Sequence, residues 1–233
     1  RGEWTLLTAD YSQVELRIMA HLADDTRMKA AFAAGKDIHA STASVIFDVD
    51  EAFVSRDMRS RAKAVNFGLL YGMGPQRLAR ETGLSIVEAK RFIERYFESF
   101  PKVRGWRESV IVEARAKGYV ETLFHRKRAI ADINSDDSRL RVFAENAAVN
   151  TPVQGSAADI IKKAMIALEA RLEASTLAGR MLLQVHDELV LEVPLDELDL
   201  TRNMVRECME HAVELSVPLK VDFGHGRSWL EAH

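Results

Sequence analysis

Met181-Leu182-Leu183-Gln184-Val185-His186-Asp187-Glu188-Leu189-Val190-Leu191-Glu192-Val193 holds two short apolar runs around a polar break. Runs of five residues, rich in aliphatic and β-branched side chains, read as two strands of a hairpin with polar residues at its tip. A hairpin alone is marginal in water, so further strands are required. Trp4-Thr5-Leu6-Leu7-Thr8-Ala9, ending at Asp10, has the same character, and residues 219–223 supply a last strand. Strands this far apart in sequence meet in one antiparallel sheet, or each leaves an unpaired backbone edge.

The remainder carries helical periodicity. Helices are expected over residues 14–23, 26–34 with Gly35 as a stop, 37–47, and 55–71 closed by Gly72 and Gly74-Pro75. Ser85-Ile86-Val87-Glu88 is a capping box that opens a helix to about residue 100, and Pro101 starts another towards Lys117. Residues 119–123 and 129–133 form a second hairpin around the basic run His125-Arg126-Lys127-Arg128. Asp137 or Ser138 caps a helix to Val149; a long amphipathic helix covers 155–174 and a final one 198–215. The fold class is α+β, rich in helix.

Composition bounds the rest. The 233 residues are 47% hydrophobic and 29% charged, which excludes disorder and collagen-like repeats and suits one large or two small domains. No apolar run approaches the roughly 18 residues that span a bilayer, so no membrane association is expected. Cys208 is the single cysteine, which excludes an internal disulfide framework and points to a reducing compartment. Arg1 in place of an initiator Met points to a processed product or a piece of something longer. The net charge of −3 is unevenly spread: residues 56–128 carry 17 Lys/Arg against 8 Asp/Glu, or +9, leaving −12 elsewhere. The middle can face a polyanion; the last third cannot do so broadly.

Three constellations carry chemistry. Asp10 at the end of its strand and Asp187 at the hairpin tip converge if their strands are neighbours, the arrangement Mg²⁺ uses with few protein oxygens and several waters. Taken singly, each also serves as ordinary turn or capping chemistry. Arg59, Lys63, Phe67 and Tyr71 recur every four residues, a gently winding stripe of about 18 Å with cations leading and aromatics following. Such a face can grip a triphosphate and stack a base, or be a basic turn followed by core aromatics. Gly68 and Gly72 inside that helix want a reason, such as close approach of a ligand. Asn150 and Gln154 place two amides near a helix start, suited to minor-groove acceptors or to capping.

Together, Asp10-Tyr-Ser-Gln-Val-Glu15-Leu-Arg17, the segment from Arg59 to Gly72, and Gln184-Val-His186-Asp187-Glu188 resemble the three motifs of A-family DNA polymerases, the bacterial DNA polymerase I type. The resemblance extends over essentially the whole chain. It implies a right-hand fold: an antiparallel palm sheet at about 1–38 and 132–233 and helical fingers at about 39–131, with the thumb, first palm segment and exonuclease-like domain upstream. It implies template-dependent transfer of a dNTP nucleotidyl group to a primer 3′-hydroxyl, with two Mg²⁺ ions, or Mn²⁺ in their place. By resemblance, Asp10, the Tyr11 carbonyl and Asp187 hold metal, with Glu188 beside them. Arg59, Lys63 and His39 grip the triphosphate, Lys63 being also a proton donor to pyrophosphate. Phe67, Tyr71 and Gln13 belong to the nucleotide site, and Glu15 is the gate against a ribose 2′-hydroxyl. Asn150, Gln154 and His186 contact the primer-template. A monomer in the bacterial cytosol or nucleoid is implied. Two positions depart from the pattern: Asn146 stands where many members carry Arg, and His125 where a hairpin glycine is usual. A binding fragment that needs the missing thumb, and a metal-dependent nuclease, are the competing readings.

Overall fold

The computed structural model describes residues 3–233, which divide into two compact units, one of residues 3–15 and 157–233 and one of residues 16–156.

The first unit is built on a four-stranded antiparallel sheet in the order β4-β5-β1-β6, with β1 at Trp4–Tyr11, β4 at Arg180–Val185, β5 at Glu188–Pro194 and β6 at Val221–Gly226. Strand character follows burial. β5 is buried along nearly its whole length, which suits the apolar run Leu189–Leu191 and Val193, whereas the edge strand β4 is largely exposed and carries a register shift between Met181 and Leu183. The helix α9 at Leu198–Glu210 buries Val205, Cys208 and Met209. Its Met209 carbonyl accepts a 2.7 Å hydrogen bond from the Tyr11 hydroxyl. The expected single sheet is thus present. The last strand runs three residues further than expected, to Gly226, and α9 ends at Glu210, short of residue 215.

The second unit is helical. It holds most of α1 (Val14–Leu22), then α2 (Thr26–Ala33), α3 (Ile38–Phe47), α4 (Arg56–Leu70), α5 (Pro75–Thr82), α6 (Ile86–Ser99) and α7 (Pro101–Lys117). Asp25, Asp37, Ser55 and Ser85 are N-caps whose side chains accept from the first-turn amides, and the Ser85–Glu88 capping box is complete. α5 was not expected, yet Pro75 is its first residue, where the missing proline N–H costs nothing.

The small hairpin is β2 (Tyr119–Glu121) with β3 (Lys127–Ala129). β3 therefore contains part of the basic run, and residues 131–134 form a 3₁₀ turn where strand was expected. His125 sits at φ 60°, the left-handed conformation that explains why a glycine suits this place. The two helices expected over 138–149 and 155–174 are one, α8, Ser138–Glu173, with Pro152 inside it. Proline removes one helix hydrogen bond. The hairpin braces the helix at that point: Arg128 donates to the Thr151 hydroxyl, the Leu123 amide to Ser156 Oγ and Arg126 to the Gly155 carbonyl. A Cβ at Gly155 would lie 2.6 Å from Thr122 Cγ2, so glycine permits the contact.

Candidate functional site

In the first unit, register does the positioning. Asp10 of β1 lies opposite Glu188 of β5 and opposite Asp222 of β6. Residues directly opposite on antiparallel strands share a face, so three carboxylates stand side by side. Asp187 precedes Glu188 in the two-residue turn closing the Val185–Glu188 pair. The turn is tied on both sides: Gln184 donates to the His186 carbonyl at 2.6 Å, and the Tyr11 amide to the Asp187 carbonyl at 3.2 Å. His186 adopts φ 54°, a conformation costing a non-glycine residue roughly 1–2 kcal/mol.

The crowding has an electrostatic signature. Asp10 keeps contact with solvent, yet its pKa is raised to about 6, first by the protein that displaces water around it and then by Asp187, Glu188 and Asp222, with His233 opposing. Negative charge concentrated in this way favours a cation. Among the described residues no three His, Cys, Asp or Glu side chains form a metal cage. Glu188 is held apart. Its buried carboxylate accepts from Trp229 Nε1 at 2.9 Å and lies 3.0 Å from His233 Nε2. Gln13, at φ 51°, lies between β1 and α1, and Glu15 is in the first turn of α1.

In the second unit, one helix does the positioning. Arg59, Lys63 and Phe67 lie on α4 and Tyr71 is its C-cap. Phe67 and Tyr71 stack at 6.5 Å with 17° between planes, and His39 of α3 tilts against Phe67 at 5.7 Å. The structure thus brings Phe67, Tyr71 and His39 into one aromatic row. Arg59 pairs with Asp37 at 2.5 Å, whereas Lys63 is exposed without a carboxylate partner among the described residues.

His39 is 2% exposed, and its pKa is lowered to about 4, chiefly by burial, with Arg59 and Lys63 adding to the effect and Asp37 opposing. It is a neutral ring at physiological pH. Its Nδ1 lies 3.0 Å from Asn66 Nδ2, and Asn66 Oδ1 is 3.1 Å from the Thr42 hydroxyl.

Gly68 lies inside α4 whereas Gly72, expected there too, follows its C-cap, and both have internal reasons rather than a ligand. Gly72 has φ 73°, and a Cβ there would lie 1.8 Å from Asn146 Oδ1; a Cβ at Gly68 would meet Met73 Sδ at 2.7 Å. Asn146 therefore fills the space over the end of α4. At that end the Leu69 carbonyl accepts from the Gly72 amide at 3.2 Å and from Arg107 at 2.5 Å. Further along α8, Asn150 keeps a buried Oδ1 with no partner, and Gln154 is exposed.

Asp222, Trp229, His233, Asp37 and Asn66 are the neighbours that motif reading does not reach. For Asp222, the alternation of the last strand opposite Asp10 was the available signal. The others depend on tertiary contacts.

A model of DNA polymerase family A matches residues 1–231. The chain belongs to DNA polymerase family A. Within this family it is 53% identical over 231 residues to DNA polymerase I of Bacillus caldotenax, covering 99% of this chain and 26% of that relative. It is 54% identical over 229 residues to the thermostable DNA polymerase I of Thermus filiformis, covering 98% of this chain and 27% of that one. The chain thus spans about a quarter of the length of these family A relatives. Its fold matches the POL domain of Pol1 from M. smegmatis, solved in complex with DNA primer-template and dNTP, at TM-score 0.94 and 45% identity over 98% of this chain and 40% of that chain. The helix-rich α+β architecture read from the sequence is therefore that of a family A polymerase domain. No helix among the described residues is long and apolar enough to cross a membrane.

Proposed function

We propose that this chain carries the catalytic palm and fingers of a template-dependent DNA polymerase. The observation that carries the reading is the carboxylate row around Asp10, whose mutual repulsion a divalent cation relieves, within a family A fold. Asp10, Asp187 and the Tyr11 carbonyl would hold two Mg²⁺ ions, or Mn²⁺ in their place. When bound, such ions supply Lewis-acid stabilisation of the attacking and leaving oxygens.

The chain's own residues do the rest. Arg59, Lys63 and His39 grip the triphosphate of a dNTP; Phe67 packs on its sugar and base; Tyr71 stacks near the templating base; Gln13 belongs to the nucleotide site, and Glu15 excludes a 2′-hydroxyl. The primer 3′-hydroxyl loses its proton to solvent and its oxygen forms a bond to the α-phosphorus as the bond to the bridging oxygen breaks, and the Lys63 ammonium gives its proton to the departing pyrophosphate. Asn150, Gln154 and His186 hold the primer-template, the amide N–H groups of Asn150 and Gln154 being suited to the minor-groove acceptors that all base pairs share. A monomer acting in the bacterial cytoplasm, with a thumb and exonuclease-like domain upstream in a longer chain, completes the reading.

Because the chain spans about a quarter of its relatives, a second reading is a nucleotide- and DNA-binding fragment that extends primers only when joined to upstream segments. Primer extension with Mg²⁺ and four dNTPs separates the two. Lengthening by the chain, lost in Asp187→Ala, supports the first reading; lengthening only by an N-terminally extended version supports the second. Residual extension by Asp187→Ala within about tenfold of the parent overturns the metal assignment, since loss of a ligand to a catalytic ion costs far more than that.

A further inference from the structure

The carboxylate row contains a member that is tied down. Glu188 is 5% exposed, and a polar group that far from water needs hydrogen-bond partners. Both of its oxygens are engaged by one segment: Oε1 by the Trp229 indole N–H at 2.9 Å and Oε2 by His233 Nε2 at 3.0 Å. The two rings meet edge to face at 5.8 Å, so they hold each other as well as the carboxylate.

The segment that delivers them is seated on the sheet. The Ala232 carbonyl accepts a buried 2.8 Å hydrogen bond from Thr8 of β1. A Cβ on Gly224 would fall 1.8 Å from that carbonyl oxygen, and one on Gly226 would fall 2.6 Å from Glu231 Cβ. Two glycines of β6 thus let the segment lie on the strand. The Arg227 amide donates to the Glu231 carboxylate at 2.9 Å, and the Ala232 amide to the Ser228 carbonyl at 3.1 Å, closing the turn that carries Trp229.

We propose that Trp229 and His233 are positioning residues that withhold Glu188 from the metal site, leaving Asp10, Asp187 and Asp222 as the open carboxylates of the row. The inference rests on the polymerase reading above and deepens it. Glu188 lies directly opposite Asp10 on the neighbouring strand and beside Asp187 in sequence, so a freed side chain has both within its range. A further carboxylate would tighten the grip on an ion while displacing the water and phosphate oxygens that a working Mg²⁺ must accept. The clamp keeps the negative charge near the site and the oxygens out of the coordination shell.

The test is Mn²⁺ binding, followed by electron paramagnetic resonance on the chain without DNA or nucleotide. Trp229→Phe keeps the ring and loses the N–H; His233→Leu removes the second contact; each is also made in a Glu188→Gln background. The expected result is Mn²⁺ affinity raised by about threefold to tenfold in each single variant, with ligand charge setting affinity, and unchanged by the same substitutions once Glu188 is Gln. Unchanged or weakened affinity in both single variants overturns the clamp, as does an equal rise in the Gln background. Absence of Mn²⁺ binding by the parent overturns both the clamp and the metal assignment. Binding that is lost in Asp10→Asn but indifferent to the segment variants overturns the clamp alone.

Discussion

The acidic row of the sheet and the cation-aromatic stripe of α4 are assembled by opposite means. Asp10, Glu188 and Asp222 come from three strands and Asp187 from the turn before one of them, spread over more than 200 positions, and strand register with that turn sets them side by side. Arg59, Lys63, Phe67 and Tyr71 span 13 consecutive positions, and helical periodicity alone puts them on one winding face. A register-built site holds its geometry tightly and tolerates no slip, whereas a helix-built site forms wherever the helix forms and is tuned by what packs against it.

The sharpest way to break this contrast is to add one residue. A glycine inserted between His186 and Asp187 should weaken Mn²⁺ binding by more than about a hundredfold, because a register-dependent ligand is lost, while nucleotide affinity at α4 stays within about twofold. Equal losses at both, in paired metal and nucleotide titrations, would show that the two are not independent.

The next largest effect belongs to the helical site. His39 has its folded pKa lowered to about 4 against an ordinary 6.5, so the unfolded chain binds more protons between those values. Its stabilising contribution is complete above pH 6.5 and is lost as pH falls towards 4, up to about 3 kcal/mol. Urea unfolding at pH 7 and pH 4.5 should show this loss in the parent and a smaller one in His39→Gln.

Gly72→Ala should cost about 1–2 kcal/mol through φ 73° alone, with more from displacement of Asn146, read as a lower midpoint in thermal unfolding. Asp37→Asn is expected to be the mildest. It keeps the N-cap of α3 but frees Arg59 from an exposed ion pair, so stability should change by less than about 1 kcal/mol while nucleotide affinity rises.

The parts legible in the sequence were those fixed by local physics. The Val-rich runs of β5, the capping box at Ser85 and the four-residue spacing on α4 each carry their structure in a few neighbouring residues. Pro152 misled because its lost hydrogen bond is a local penalty, while the brace from Arg126, Arg128 and Leu123 is tertiary. The start of α5 was legible at Pro75, a favoured first helical position that reads equally well as a helix breaker. For the site, the carboxylates at 10 and 187 announced themselves, but the ties on Glu188 and His39 did not. An indole, an amide and a hydroxyl acquire meaning only when another element brings an acceptor to them.

The two-residue turn at His186-Asp187 has a consequence for how such a sequence can vary. Because alternate residues of a strand face opposite sides, the turn works as a parity check on the hairpin: an odd change in length that slips the strand moves Glu188 to the wrong face, while an even one restores the face but not the neighbour. Variation should therefore enter this region as exchanges of one side chain for another, and changes of length should gather in the loops that the sheet does not count.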